Sequence, residues 1–118
     1  MTLVDTSIWI DHFRSPDRRL ASLLHDGQVL SHPFVIGELA LGQLKGRSEI
    51  LALLADLPRA PAIDHHEILS FIDANALAGS GLGWVDVNLL ASVRLAGQRL
   101  WTRDRRLALV AQRLGVAA

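Results

Sequence analysis

The chain contains no cysteine, a single lysine (Lys45) and only six aromatic residues among 118. The first absence excludes disulfides and thiolate zinc sites and makes a reducing cytoplasm a comfortable setting. No apolar run approaches the ~18 residues needed to cross a bilayer. The start, Met1-Thr2-Leu3-Val4-Asp5, lacks the basic residues and long apolar stretch of a signal peptide, so a soluble cytoplasmic protein with no membrane partner is expected. The five histidines show no metal-ligand spacing. His65-His66 reads as surface, and His12 and His32 have no evident partner. Net charge is also absent: twelve acids balance twelve Lys/Arg, so composition alone points to no polyanion.

What is present is a rich core. Half the residues are apolar, and the length suits one domain over 1–118. Charge is unevenly placed: residues 1–79 hold ten acids and six Lys/Arg, whereas 80–118 hold two acids and six Arg. Such clustering can create a local field that a zero total hides. Short apolar runs alternate with helical patterns, which predicts an α/β fold with a parallel sheet covered by helices. Strands are predicted at Leu3-Val4, Val29–Ser31, Pro61–Ile63, Arg99–Thr102 and Val116–Ala118. Helices are predicted from a Ser7 cap to Phe13, from Pro16-Asp17 to Gly27, and from Pro33 to about Gly42. Further helices are predicted over Ser48–Leu57, from an Asp64 cap to Ala78, over Trp84–Ala96 and over Asp104–Leu114.

Most acids sit among polar neighbours or at helix caps. Asp5, Glu38, Asp86 and Asp104 do not fit that pattern. Asp5 lies in Leu-Val-Asp-Thr-Ser-Ile-Trp-Ile, Glu38 in Phe-Val-Ile-Gly-Glu-Leu-Ala-Leu and Asp86 in Trp-Val-Asp-Val-Asn-Leu-Leu. Asp104 directly follows Leu-Trp-Thr-Arg. The first three are set in segments expected to be buried. An unpaired buried carboxylate costs several kcal/mol or protonates. No Lys or Arg lies in those runs, so one divalent cation would compensate them together. Parallel sheets collect ligands beyond the carboxyl ends of their strands, where Asp5 and Asp104 are expected. An all-oxygen donor set suits magnesium or manganese rather than zinc. Taken singly, Asp5 and Asp104 are also plausible caps, Asp86 a helix-dipole acid and Glu38 one half of a salt bridge.

Four segments carry a resemblance to a known family. Val-Asp-Thr-Ser-Ile-Trp-Ile-Asp, Pro-Phe-Val-Ile-Gly-Glu-Leu, Gly-Leu-Gly-Trp-Val-Asp-Val-Asn-Leu-Leu-Ala-Ser and Leu-Trp-Thr-Arg-Asp-Arg-Arg-Leu resemble, in order, the motifs of PIN domains. They span Leu3 to Leu107, and the chain is most similar in kind to VapC-type toxins of bacterial toxin–antitoxin (VapBC) pairs. The resemblance implies a Rossmann-like three-layer sandwich with sheet order 3-2-1-4-5 and an endoribonuclease that needs Mg²⁺ or Mn²⁺. It makes Asp5, Glu38, Asp86 and Asp104 the catalytic quartet. Asp5, Asp86 and Asp104 become the metal ligands, and Glu38 the holder of a metal-bound water. Thr6, Ser7 and Thr102 fall in the motifs as groups that orient carboxylates or bind phosphate. The resemblance also implies an RNA substrate, a VapB-like antitoxin and a homodimer. Ile10, Phe13, Leu20, Leu23 and Leu24 would offer the antitoxin an apolar groove, unless they simply pack the core. Two departures stand out. Asn88 occupies a place where relatives often have His, bearing on substrate contacts. Arg-Arg-Leu follows Asp104 in place of an aromatic-bearing version.

Arg103, Arg105 and Arg106 are candidate phosphate contacts, with a solvated helix start as the plain alternative. Trp9, Trp84 and Trp101 are expected to pack the core rather than stack bases. Three other readings compete. A flap-type DNA nuclease needs arch insertions for which the chain has no room, and a phosphatase differs in its substrate. A receiver domain would need paired acids after the first strand and a late lysine. A catalytically inactive PIN-fold module binding RNA or protein would be marked by a lost acid, and none is lost.

Overall fold

The computed structural model describes residues 1–118. In chain order the elements are β1 (Thr2–Val4), α1 (Thr6–Arg14), α2 (Arg18–His25), β2 (Val29–Leu30), α3 (Pro33–Leu41), α4 (Arg47–Asp56), α5 (His65–Ala74), α6 (Trp84–Ala96), β3 (Arg99–Trp101) and α7 (Arg105–Arg113). The sheet is parallel, in the order β2-β1-β3. Leu3 and Val4 of the central strand have no exposed surface, as expected of a strand paired on both sides and covered on both faces. They join Ile8, Trp9, Leu20, Val35, Leu39, Leu54, Leu89, Leu90 and Leu107 in the main core. A smaller cluster of Ile68, Leu77, Val87 and Ala91 joins α5 to α6. No helix is long and apolar enough to cross a membrane.

The sheet has three strands, not five. The predicted strand at Pro61–Ile63 does not form. Its place beside β2 is taken by a single parallel bridge from Ser31 to Arg59. Ser31 N donates to Pro58 O and Ala60 N to Ser31 O. Pro58 and Pro61 lack N–H groups, so the ladder cannot extend past this pair of bonds. On the far side of β3 the predicted strand at Val116–Ala118 is likewise one parallel bridge, Leu100 to Ala117.

Helix starts follow local chemistry. Pro33 sits in the first turn of α3, and Asp17, Asp64 and Asp104 accept backbone N–H bonds as caps. The first cap differs from the sequence reading: Asp5, rather than Ser7, caps α1. The fifth helix ends at Ala74 rather than Ala78, because Asn75 caps it and Ala76 turns into the left-handed region. Trp9 is buried, as expected, and Trp101 is half-buried with the Arg19 guanidinium 4.2 Å from its ring centre. Trp84 departs from the core expectation and is 42% exposed.

Candidate active site

Asp5 leaves the carboxyl end of β1 and turns directly into α1. Only 7% of it is exposed, and three hydrogen bonds hold its carboxylate. Thr6 N donates to Oδ1 at 2.8 Å; Ser7 Oγ and Thr102 Oγ1 donate to Oδ2 at 3.2 and 2.6 Å. The two hydroxyls accept in turn from consecutive amides. Arg103 N donates to Ser7 Oγ at 3.2 Å and Asp104 N to Thr102 Oγ1 at 3.1 Å. Each hydroxyl therefore donates to Asp5 and accepts from the turn carrying Asp104. This ties the ends of β1 and β3 together across nearly the whole sequence. Asp104 is exposed and caps α7 through Leu107 N, 2.9 Å from Oδ1.

Asp86 lies in the first turn of α6, half-buried, and Gly83 N donates to its Oδ2 at 3.1 Å. Burial raises its pKa above the ordinary carboxylate value. The Gly83 bond opposes this, and the negative charges of Asp5 and Asp104 raise it further. Asp86 therefore feels both other acids. Glu38 is exposed, so the expectation that its apolar neighbours would bury it fails. Helix α3 turns Val35 and Leu39 to the core and leaves Glu38 outside, where its Oε1 accepts from Thr6 Oγ1 at 2.8 Å. Of the four acids only Asp5 is buried.

The arginines divide. Arg103 is held by Asp11 and by Asp17, the latter at 2.9 Å, so it braces the Asp104 turn against α1 and the cap of α2. Its guanidinium is paired with these two carboxylates in the free protein. Both carboxylates raise the Arg103 pKa, and the Leu20 N–H bond followed by Arg103 lowers that of Asp17. Arg105 and Arg106 are exposed and carry no carboxylate partner. Arg105 and Thr102 border a recess of about 430 Å³ between β3 and α7, lined mainly by apolar side chains such as Trp101 and Leu109. The four carboxylates themselves lie on an open rim and line no cavity. Asn88 is buried, and its Nδ2 donates to Trp84 O at 2.9 Å within its own helix.

Of the proposed apolar groove, Leu20 is fully buried in the core and offers nothing to a partner. Ile10 and Phe13 do border a recess of about 380 Å³, together with Leu44 and Ile50, and Leu23 and Leu24 pack partly against the core. His32, for which the sequence offered no partner, is 1% exposed. Its Nδ1 accepts from Phe34 N at 3.0 Å, which leaves Nε2 as the protonated nitrogen, 3.0 Å from Ser92 Oγ. Ser92 Oγ donates to Pro61 O at 2.6 Å. Burial lowers the His32 pKa to about 4. The one local signal was position: a polar residue just before Pro at a helix start, after a strand.

A family model for the PIN domain matches residues 2–113. The chain belongs to the PIN-domain family. Ribonuclease VapC32 of Mycobacterium tuberculosis, in strains CDC 1551 and H37Rv alike, is 52% identical to it over 118 residues. The match covers 99% of this chain and 95% of that protein.

The PIN rim fits a hard divalent cation on chemical grounds. Its donors are all carboxylate and hydroxyl oxygens. Asp5 is buried with no Lys or Arg beside it, and the only ion pairs in the molecule are those of Arg103. Like charge and burial together disfavour ionised Asp86, and a cation reverses both. No three acids or histidines stand as a ready-made ligand cluster. Mutual repulsion among uncompensated carboxylates acts in that direction.

Proposed function

We propose that this protein is a divalent-metal-dependent endoribonuclease of the toxin type, restrained by a cognate VapB-like antitoxin. The observation that carries the reading is the acidic rim: buried Asp5 has no cation, and Asp86 is perturbed by both Asp5 and Asp104. Asp5, Asp86 and Asp104 would hold Mg²⁺, for which Mn²⁺ substitutes. A cation held there would lower the pKa of bound water and screen the charge of the phosphodiester. Ser7 and Thr102 fix the Asp5 carboxylate and the Asp104 turn at once. Thr6 holds one oxygen of Glu38, which leaves the other to accept a proton from an attacking water. Water attack at phosphorus would form the new P–O bond as the P–O bond to the leaving ribose oxygen breaks, that oxygen taking a proton from solvent, with no covalent enzyme intermediate. An open rim suits a polymer, and RNA as substrate agrees with the name of the mycobacterial relative.

The reading carries with it one domain over 1–118 and the family's 3-2-1-4-5 layering, with the outer strands reduced to the bridges at Arg59 and Ala117. Cytoplasmic residence follows from the substrate. The recess at Ile10 and Phe13 is the place for an antitoxin tail. Homodimerisation belongs to the same reading and is measured by light scattering on the purified chain.

The test is cleavage of total cellular RNA by purified, antitoxin-free protein with Mg²⁺ or Mn²⁺, beside chelator and an Asp5→Asn variant. Cuts that require the metal and vanish in the variant support the reading. Folded protein that cuts nothing across both metals supports the second reading, an inactive PIN module. The lack of a preformed ligand cluster favours that alternative.

A further inference from the structure

We propose that Trp84, with His65, forms a stacking platform for one unpaired base of the bound strand, and that Arg106 meets the adjoining phosphate. This rests on the ribonuclease reading and names how that site grips its substrate. Trp84 is the one tryptophan with a largely open face, 42% exposed, and lies two residues ahead of Asp86. His65, exposed at the start of α5, sets its ring 5.1 Å from the Trp84 ring at a tilt of 44°. The pair joins the start of α5 to the start of α6, the helix whose first turn carries Asp86. The backbone beneath is pinned, because Asn88 Nδ2 holds the Trp84 carbonyl and Asp86 holds Gly83 N. Arg106 reaches from α7 to the loop three residues ahead of Trp84. Its guanidinium lies over Gly81, whose φ of +82° and missing Cβ make the room; a Cβ there would collide with it. No carboxylate pairs with Arg106. Three elements thus bring an exposed aromatic pair and a free cation to the neighbourhood of Asp86.

An unpaired nucleotide offers the matching features, a flat base and a phosphate. Stacking a base on an aromatic ring contributes about 1–3 kcal/mol and tolerates any base. Arg adds a charge that tracks the backbone. A flat indole without an apolar recess around it suits a base better than a protein side chain, which needs a pocket to fill.

The experiment measures binding of a short labelled single-stranded RNA to the Asp5→Asn protein by anisotropy, with wild-type Trp84, Trp84→Ala, Trp84→Phe and His65→Ala. Melting curves check the fold of each. The same set is repeated with RNAs carrying one abasic position stepped along the strand. Trp84→Ala is expected to weaken binding about 5- to 150-fold, from the stacking range above. Trp84→Phe should keep most of the affinity, and His65→Ala should lose less than Trp84→Ala. At one abasic position the difference between the parent and the Trp84→Ala protein should disappear. Trp84→Ala binding as tightly as the parent overturns the platform while leaving the ribonuclease reading intact. A loss that persists at every abasic position also overturns it. Recovery of affinity only when an antitoxin peptide or second copy is present assigns the face to a protein instead. Protein with Asp5 intact that neither binds nor cuts RNA with Mg²⁺ or Mn²⁺ overturns the function itself.

Discussion

Asp5 and His32 follow neighbouring parallel strands, and each caps the helix that comes next. Both are buried. There the likeness stops. His32 is neutral, and both ring nitrogens have partners, with Ser92 passing the bond on to Pro61 O. Asp5 is an acid with three donors and no cation, beside two further carboxylates. One strand end is closed and fastens the Pro61 segment to α3 and α6. The other is left with uncompensated charge. A satisfied polar network stabilises a fold, whereas uncompensated like charge destabilises it unless a ligand binds. The difference separates the part of the sheet edge that serves folding from the part placed to serve chemistry.

Five changes at four residues test that contrast. Asp5→Asn keeps the shape and most of the hydrogen bonds but removes charge. It should reduce metal-dependent RNA cleavage by about 10³-fold or more, since a metal's charge stabilisation is worth several kcal/mol. Cleavage rates at saturating Mn²⁺ decide this, and a merely few-fold loss would take Asp5 out of the site. His32→Ala breaks the closed network and should destabilise the fold by about 2–4 kcal/mol, read from urea unfolding.

The pH dependence of His32 follows from its lowered pKa. The folded form resists protonation, so its contribution is whole above about 6.5 and is lost as pH falls towards about 4. The loss from this group is at most about 3 kcal/mol. Unfolding midpoints from pH 7 to 4 should fall less steeply in His32→Asn, and equal slopes would remove His32 as the cause.

Arg103→Ala removes two ion pairs that solvent screens, so the melting temperature should change little. It also frees the turn that carries Asp104, so kcat should drop about 10-fold with KM little changed. A raised KM with a shallower salt dependence would instead show a direct phosphate contact, as first read from the sequence. The smallest effect on stability should come from Asp86→Asn without divalent metal. Relief of like charge and burial, with the Gly83 bond kept, should raise stability by about 0.5–1 kcal/mol while abolishing cleavage. A fall in melting temperature would mean that charge at Asp86 supports the fold.

Much of the molecule was legible in the chain. Leu3-Val4, Trp84–Ala96 and the cap at Asp17 follow from runs, periods and side chains that act within four residues. Asp5, Glu38 and Asp86 stood out because their neighbours were apolar, and the family resemblance put all four acids in order. That same local logic misplaced Glu38, since a helix of mostly apolar residues still has an outer face. It also gave the outer strands too much length, because a short apolar run does not reveal whether a partner can extend the ladder past two prolines.

The amino-acid sequence by itself determined the helices, the central strand and the identity of the acids, because those depend on contacts between near neighbours. Tertiary structure alone decided that Thr102 holds Asp5, that Arg103 answers Asp11 and Asp17, and that His32 meets Ser92. Those partners lie 60 to 97 residues apart. Nothing local distinguishes them from other polar residues. The parallel order β2-β1-β3 brings these segments to one edge of the sheet, and only there do their hydrogen bonds become possible.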